Sequence, residues 1–307
     1  MKTLKIATFN CENLFTRFKF TGKVISGKNE MDKIIKNGFI LNDKYFDKII
    51  EKERSLTADA IKETNAEIIA LEEIENMETL KSFNSEFLSG CGYKYKMLID
   101  ANDPRFIDVA VLSKIPIESV ITHQFMRTKD NKSYIFSRDC LEINFKPDVA
   151  PVTLFVNHFK SMMEGRDETR ARRLVQSETV LDIIKNRFGN KPEEANWIVL
   201  GDLNDYPEGN TGVEPLLNSG LMTNVIERLP KEEQWTHWWD ARDEYKQIDY
   251  IFLSKSLAEK NSRSEPVIIR KGLSKKAGKY TGERFDGIGD LRPHASDHCP
   301  VVIEMEL

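Results

Sequence analysis

No other stretch narrows the possible folds as far as Trp197-Ile198-Val199-Leu200-Gly201-Asp202-Leu203-Asn204-Asp205-Tyr206-Pro207. Its short apolar run, bounded by turn residues, reads as a buried strand. Asp202, Asn204 and Asp205 then sit where a core strand leaves its sheet, which is where open α/β folds place ligand sites. A strand followed by an ordinary Asx-type turn would look the same. The design recurs, however. Lys5-Ile6-Ala7-Thr8-Phe9 ends at Asn10, and Ile68-Ile69-Ala70-Leu71 runs into Glu72-Glu73. The strand pattern over 152–159 ends in Asn157-His158, Asp249 lies inside Gln247-Ile248-Asp249-Tyr250-Ile251-Phe252-Leu253, and Asp297-His298 lead into the last apolar run. A buried acid at a strand end is costly unless it is paired or bound to a cation. One such acid is ordinary; several at strand ends that converge point to a shared site.

Between these runs the periodicity predicts helices over 48–65, 77–88, 169–188 and around 214–217. Further strands are expected at 93–99, 108–113, 115–124, 134–145 and 301–305. Residues 16–47 are polar and irregular and read as a surface insertion. Residues 255–289 form a long polar stretch carrying Arg263, Arg270, Lys271, Lys275, Lys276, Lys279 and Arg284. That run is either a track for a phosphate backbone or a solvated loop. No internal repeat, low-complexity tract or linker-like shift in composition divides the 307 residues, so a single domain is expected.

The apolar fraction of 40% is enough for a sizeable core, and the net charge of −4 is not that of a basic nucleic-acid-binding domain. Cys11, Cys91, Cys140 and Cys299 form no C-x-x-C pair and fit no zinc or disulfide template, so they read as small buried hydrophobes. The N-terminus lacks an apolar signal core, and no run approaches the roughly 18 apolar residues of a membrane span. A soluble, cytoplasmic, monomeric protein without stable membrane insertion is the expectation. The donors at the strand ends are mainly oxygens, which select magnesium or manganese over zinc. His294 and His298 stand four apart, but Pro293 and Pro300 bracket them and argue against a helical zinc pair. Trp235, Trp238 and Trp239 either pack beside the site or stack on a base.

The pieces TFNCENLF at the start, LEEIEN around Glu73, DVAVLS at Asp108, VNHFKS at His158, IVLGDLND at Asp202, QIDYIFLS at Asp249 and SDHCPVV near the end resemble, in order, the endonuclease/exonuclease/phosphatase superfamily. They are most similar to its DNase and sphingomyelinase branches. The resemblance implies a four-layer α/β sandwich with two central mixed sheets and a site at one edge between them. It also implies roles. His298 matches the catalytic histidine and Asp249 the acid that orients it. Asp202 matches the residue that orients or deprotonates the attacking water, and Asn204 the amide on the scissile phosphate. His158 matches a second histidine, of a kind absent from the apurinic endonucleases. Glu73 matches the metal-binding glutamate, Asn10 an asparagine that helps place the metal or phosphate, and Asp297 an acid near a metal position. Asn157, Lys160 and Arg170 are candidate substrate contacts, as is Asp108, which would serve equally as a cap at a strand start. The implied activity is magnesium- or manganese-dependent phosphodiester hydrolysis of DNA or RNA. The alternative is the same chemistry on a lipid or small phosphoester. From a different class, a catalytically silent binding module would have lost acids or a histidine that this chain retains.

Overall fold

The structure, a computed structural model, describes residues 3–15, 19–20, 46–47, 51–147 and 150–307. In chain order the strands are β1 (Thr3–Leu14), β2 (Lys19–Phe20), β3 (Phe46–Asp47), β4 (Ile68–Ile74), β5 (Tyr95–Leu98), β6 (Asp108–Ser113), β7 (Ile117–Ile121), β8 (Cys140–Phe145), β9 (Val152–His158), β10 (Trp197–Asp202), β11 (Met222–Asn224), β12 (His237–Trp239), β13 (Glu244–Lys246), β14 (Asp249–Ser254), β15 (Val267–Ile268) and β16 (Val301–Glu306). The helices are α1 (Glu51–Thr64), α2 (Met77–Phe87), α3 (Arg166–Phe188), α4 (Glu214–Leu217) and α5 (Lys255–Lys260). Apart from the pairing of β2 with β3, the expected insertion at 16–47 lies outside the described residues.

Two six-stranded mixed sheets carry the fold, in the orders β15-β16-β1-β4-β6-β5 and β11-β14-β10-β9-β8-β7. Alternation of side chains along each strand sets the layers. Ile6, Ala70, Val156, Leu200 and Ile251 belong to the apolar layer between the sheets. Ala7, Phe9, Ile69 and Leu71 turn the other way and pack with Leu56, Ala60 and Ile61 of α1 and Leu80 and Phe83 of α2. On the second sheet Phe155, Trp197, Val199 and Phe252 pack with Val180, Leu181 and Ile184 of α3. The result is the four-layer sandwich of helices, sheet, sheet and helices. Cys11, Cys140 and Cys299 are buried, Cys91 is half-buried, and all four are free thiols.

Local chemistry fixes the helix ends. Asn76 caps α2 by accepting the Thr79 N–H at 2.9 Å. In α3, Asp167 and Glu168 lie in the first turn and Lys185 and Arg187 in the last, which suits the helix dipole. Two predicted elements differ. The strand expected over 134–145 is regular only from Cys140, because donors outside the sheet take the preceding carbonyls. Gln176 donates to Ile135 O at 3.2 Å, and Asn102 donates through its side chain to Phe136 O at 3.4 Å and through its backbone to Ser137 O at 2.9 Å. The polar stretch 255–289 contains α5 and β15, the latter adding an edge strand beside β16. Among the described residues no helix is long and apolar enough to cross a membrane.

Candidate active site

The parity that builds the inter-sheet layer also delivers the polar residues. Asn10 follows Ile6 and Thr8 on the inner face of β1, His158 follows Leu154 and Val156 on β9, and Asp202 follows Ile198 and Leu200 on β10. Asp249 precedes Ile251 and Leu253 on β14. Register then brings them level: Asp202 pairs with His158 on one side and with Asp249 on the other. Glu72 shares this inner parity and is fully buried, with Thr8 donating to its Oε1 at 2.9 Å. Glu73 would by alternation face the helices. A register irregularity in β4 and a left-handed φ of 64° re-aim it towards the site. Asn204 has the same kind of backbone, at φ 52°. Such conformations cost energy and persist where the surroundings enforce them.

His298 comes from the loop before β16. Ser296 anchors that loop by donating to Asn10 O at 2.8 Å and accepting the His298 N–H at 3.0 Å. The Nδ1 of His298 lies 3.1 and 3.0 Å from the two Asp249 oxygens. Thr236 holds Asp249 in turn, donating to Oδ2 at 2.6 Å. This leaves Nε2 of His298 facing the site, 3.9 Å from Asp202 Oδ2 and 3.9 Å from Asp297 Oδ1. From the neighbouring strand β9, His158 Nε2 lies 3.5 Å from Asp202 Oδ2 and 3.9 Å from Glu73 Oε1. Asn10 donates through Nδ2 to Asp202 Oδ2 at 3.0 Å and to Glu73 Oε1 at 3.4 Å. Asn204 donates its backbone N–H to Asp202 Oδ1 at 2.8 Å and its amide to Asp202 Oδ2 at 2.9 Å and Phe159 O at 3.2 Å.

The electrostatics separate the two histidines. Burial, then the Arg138 charge, pushes His158 well down, so it is neutral. Burial would also lower His298, but Asp249, with Asp202 and Asp297 behind it, raises it well above the ordinary histidine range. Burial raises Asp202 to about 6 and pushes Glu72 and Glu73 up as well. Asp297 runs the other way: burial would raise it, but the His237 hydrogen bond and the His298 charge outweigh that and hold it below the usual carboxylate range. Several acids are thus held in a low-dielectric edge where a cation would relieve them. Among the described residues, two groups bring three donor atoms within 4.8 Å of one another: Asp202, Asp249 and His298, and His237, Asp297 and His298.

The structure therefore gathers Asn10, Glu73, His158, Asp202, Asn204, Asp249, Asp297 and His298. It does not bring every expected residue with them. Asn157 has the outward parity of Phe155, is fully buried and donates to Phe155 O at 3.0 Å. Arg170, on α3, faces Glu214 at 3.6 Å. Lys160 stands two residues after His158, with its ammonium paired to the exposed Glu164 at 2.7 Å. Asp108 starts β6 with the parity of Ala110 and Leu112, on the helix-facing side, and accepts the Ala101 N–H at 2.9 Å. Asp205 is taken by Arg166 at 2.6 Å and Arg173 at 2.9 Å, which ties the loop after β10 to α3. Trp235 and Trp238 are buried and Trp239 is exposed, so two of the three tryptophans pack.

Three residues near the site carry no such expectation from the sequence. Arg138 is 2% exposed, pairs with Asp103 at 3.2 Å and donates to Phe159 O at 2.8 Å. His237 lies 3.5 Å from Asp297 Oδ2 and forms a backbone bridge with His298. Glu12 accepts the Asp297 N–H at 3.0 Å through Oε2, which also faces His294 Nε2 at 2.6 Å. Glu12 stands inside the first motif, two residues after Asn10, so its position was a usable signal. Arg138 and His237 lie in segments with no strand-end pattern.

Paired sheets with acids, amides and two histidines at one edge define a phosphoesterase-type α/β sandwich. Residues 5–307 match the model of the Endonuclease/Exonuclease/phosphatase family, and the chain belongs to that family as a phosphoesterase. Among solved structures it is similar to truncated TDP2 of Caenorhabditis elegans, at 14% identity and a TM-score of 0.61, over 99% of this chain and 98% of that one. It is similar to a mannosyl-6-phosphatase of Bacteroides thetaiotaomicron, at 15% and 0.61, over 99% and 100% of the two chains. Beta toxin of Staphylococcus aureus, at 15% and 0.62, matches over 99% and 100%. Likenesses at these identities establish the shared fold. No curated protein sequence matches the chain.

Proposed function

We propose that the chain hydrolyses phosphodiester bonds of nucleic acid by in-line attack of water, with magnesium or manganese as the resident ion. The observation that carries this reading is the Asp249–His298 dyad aimed at Asp202, with neutral His158 beside the same carboxylate. Raised carboxyls beside an oxygen-rich donor set suit a hard divalent cation. Glu73 is the carboxylate that would hold it, fixed by Asn10, with Asp297 on the side of His298. When bound, such an ion neutralises charge on phosphoryl oxygens.

The chain's own groups supply the rest. Asp202, held by Asn10 and Asn204, orients water and accepts its proton, for which an upward-shifted carboxyl is suited. His298, kept charged by Asp249, meets the negative charge that grows on the phosphoryl group. His158 stands where it can exchange a proton with the leaving oxygen. Arg138 and Asn204 share the Phe159 carbonyl and so fix the loop after β9.

One observation favours the second reading, a small or lipid phosphoester. In the basic stretch that reads as either a phosphate track or a solvated loop, Arg270 pairs with Glu233 at 2.8 Å, Lys271 with Glu63 at 2.7 Å and Lys276 with Asp240 at 2.6 Å. The test is a substrate panel in magnesium, manganese or EDTA: plasmid DNA, single-stranded DNA, RNA, bis-p-nitrophenyl phosphate, sphingomyelin and inositol phosphates, with His298→Ala as control. Metal-dependent cleavage of nucleic acid that vanishes in the variant is expected. Inert nucleic acids with turnover of a small or lipid phosphoester would transfer the activity to the second reading.

A further inference from the structure

Close to the residues that hold Asp249 lies a cleft of about 170 Å³ whose lining includes Trp235, Tyr245, Lys246, Gln247 and Lys279. Gln247 is 5% exposed, yet neither its Oε1 nor its Nε2 has a hydrogen-bond partner. A buried amide with both ends unmade is rare in folded proteins and calls for a partner. Two ammonium groups accompany it. Lys279 Nζ lies 5.3 Å from the centre of the Trp235 ring and 5.6 Å from that of Tyr245, and Lys246 Nζ lies 4.7 Å from that of Tyr206. Among the described residues neither lysine has a carboxylate partner within ion-pair distance. The acid that also lines the cleft, Glu208, is already paired with Lys231.

We propose that this cleft is a subsite for a second phosphate group of the substrate, next to the phosphoester being hydrolysed. A phosphate offers acceptors in several directions and so can take Lys246, Lys279 and the Nε2 of Gln247 together. The Oε1 of Gln247 needs a donor, which a hydroxyl on the group carrying that phosphate supplies. Position fits as well. Gln247 precedes Asp249 by two residues, about 7 Å of extended chain. Thr236, next to Trp235, is the residue that holds Asp249. The subsite deepens the proposed function and rests on it, because it makes the substrate a compound with at least two phosphates.

The test compares bis-p-nitrophenyl phosphate, thymidylyl-thymidine with its single phosphate, the same dinucleotide with an added 5′ or 3′ terminal phosphate, and a sugar bisphosphate. The wild-type protein should favour a substrate with a second phosphate by about tenfold or more in kcat/KM, the scale of a charge-assisted contact. Lys279→Ala and Gln247→Leu should each erase most of that preference and leave turnover of bis-p-nitrophenyl phosphate unchanged. Preference for the phosphorylated dinucleotide supports the subsite with a flanking nucleotide phosphate as its source, and preference for the sugar bisphosphate supports it with a small-molecule source. Variants that keep the preference, or that slow every substrate equally, overturn the subsite. A second measurement is independent of catalysis: calorimetric binding of inorganic pyrophosphate in EDTA. About tenfold weaker binding in Lys279→Ala supports the subsite even where no phosphodiester is turned over, an outcome that removes only the proposed reaction. Absence of binding to the wild type, or equal binding to the variant, overturns it.

Discussion

His298 and His158 face one carboxylate, Asp202, and are driven to opposite charge states by their other neighbours: Asp249 for the first, burial and Arg138 for the second. A dyad of this kind acts as a unit. Asp249→Asn and His298→Ala should each lower kcat/KM on bis-p-nitrophenyl phosphate by about 10²- to 10⁴-fold, and the double variant should be little worse than either alone. Thermal melts that stay cooperative would show that the fold survives, and full additivity would show two independent roles. Asp108 is a residue of another sort. Burial raises its carboxyl to about 7, despite the N–H it accepts from Ala101. An acid whose folded pKa lies above its unfolded one, about 3.9, holds its proton more tightly when folded. Stability is therefore undiminished below about pH 4, falls as pH rises between about 4 and 7, and is flat above. Asp108→Asn removes the titration and keeps an oxygen for Ala101. Its melting temperature relative to wild type should climb across that window, by an amount worth at most about 4 kcal/mol. A difference independent of pH would mean that Asp108 is ionised in the folded protein throughout.

Among the strands, the contact between β9 and β10 decides whether the site exists, because it sets His158 beside Asp202. Gly201 permits it. Its φ is 129°, and a Cβ built there would lie 1.9 Å from the Asn157 carbonyl oxygen. Gly201→Ala must part the strands or twist the backbone, so a loss of about 3 kcal/mol or more is expected, read as a lower melting temperature and less soluble protein. A variant as stable as wild type would show that the ladder has slack. These strands also show how far residue pattern reaches. Apolar runs locate β4, β9, β10, β14 and β16 because buried strands must be apolar. Strict alternation then places Asn10, His158, Asp202 and Asp249 on the inner face, and the same rule sends Asn157 to the outer one. Glu73 breaks the rule through an irregularity that no pattern of residue types announces. Arg138 and His237 reach the site region from an irregular segment and a three-residue strand, placed by tertiary contacts rather than by periodicity. Arg170 stands out in the sequence by its charge, but the orientation of α3 directs it to Glu214.

With both sheets in view, the site is a seam. Asn10 and Glu73 come from one sheet, and His158, Asp202 and Asp249 from the other. Closing the sheets concentrates carboxylates at one edge, and a divalent ion there should stabilise the closed form. Chelation with EDTA should abolish turnover. Added magnesium or manganese should raise the melting temperature with concentration, by an amount corresponding to about 2.7 kcal/mol at a hundredfold excess over Kd. Because burial raises Glu73 and brings Asp202 to about 6, the ion competes with protons, and the thermal shift should grow as pH rises from about 5 to 7. Two variants locate the ion. Glu73→Gln should lose both the thermal shift and activity. Asp249→Asn should lose activity and keep the shift, since Asp249 is committed to Nδ1 of His298 and a charged imidazole is no ligand. The reverse pattern, with the shift lost in Asp249→Asn and kept in Glu73→Gln, would move the ion to Asp202, Asp249 and His298, whose donor atoms also lie within 4.8 Å of one another. His298 would then be a neutral ligand rather than a charged partner of the phosphoryl group, and the proton accepted from water would have to pass to another residue, with His158 standing 3.5 Å from Asp202.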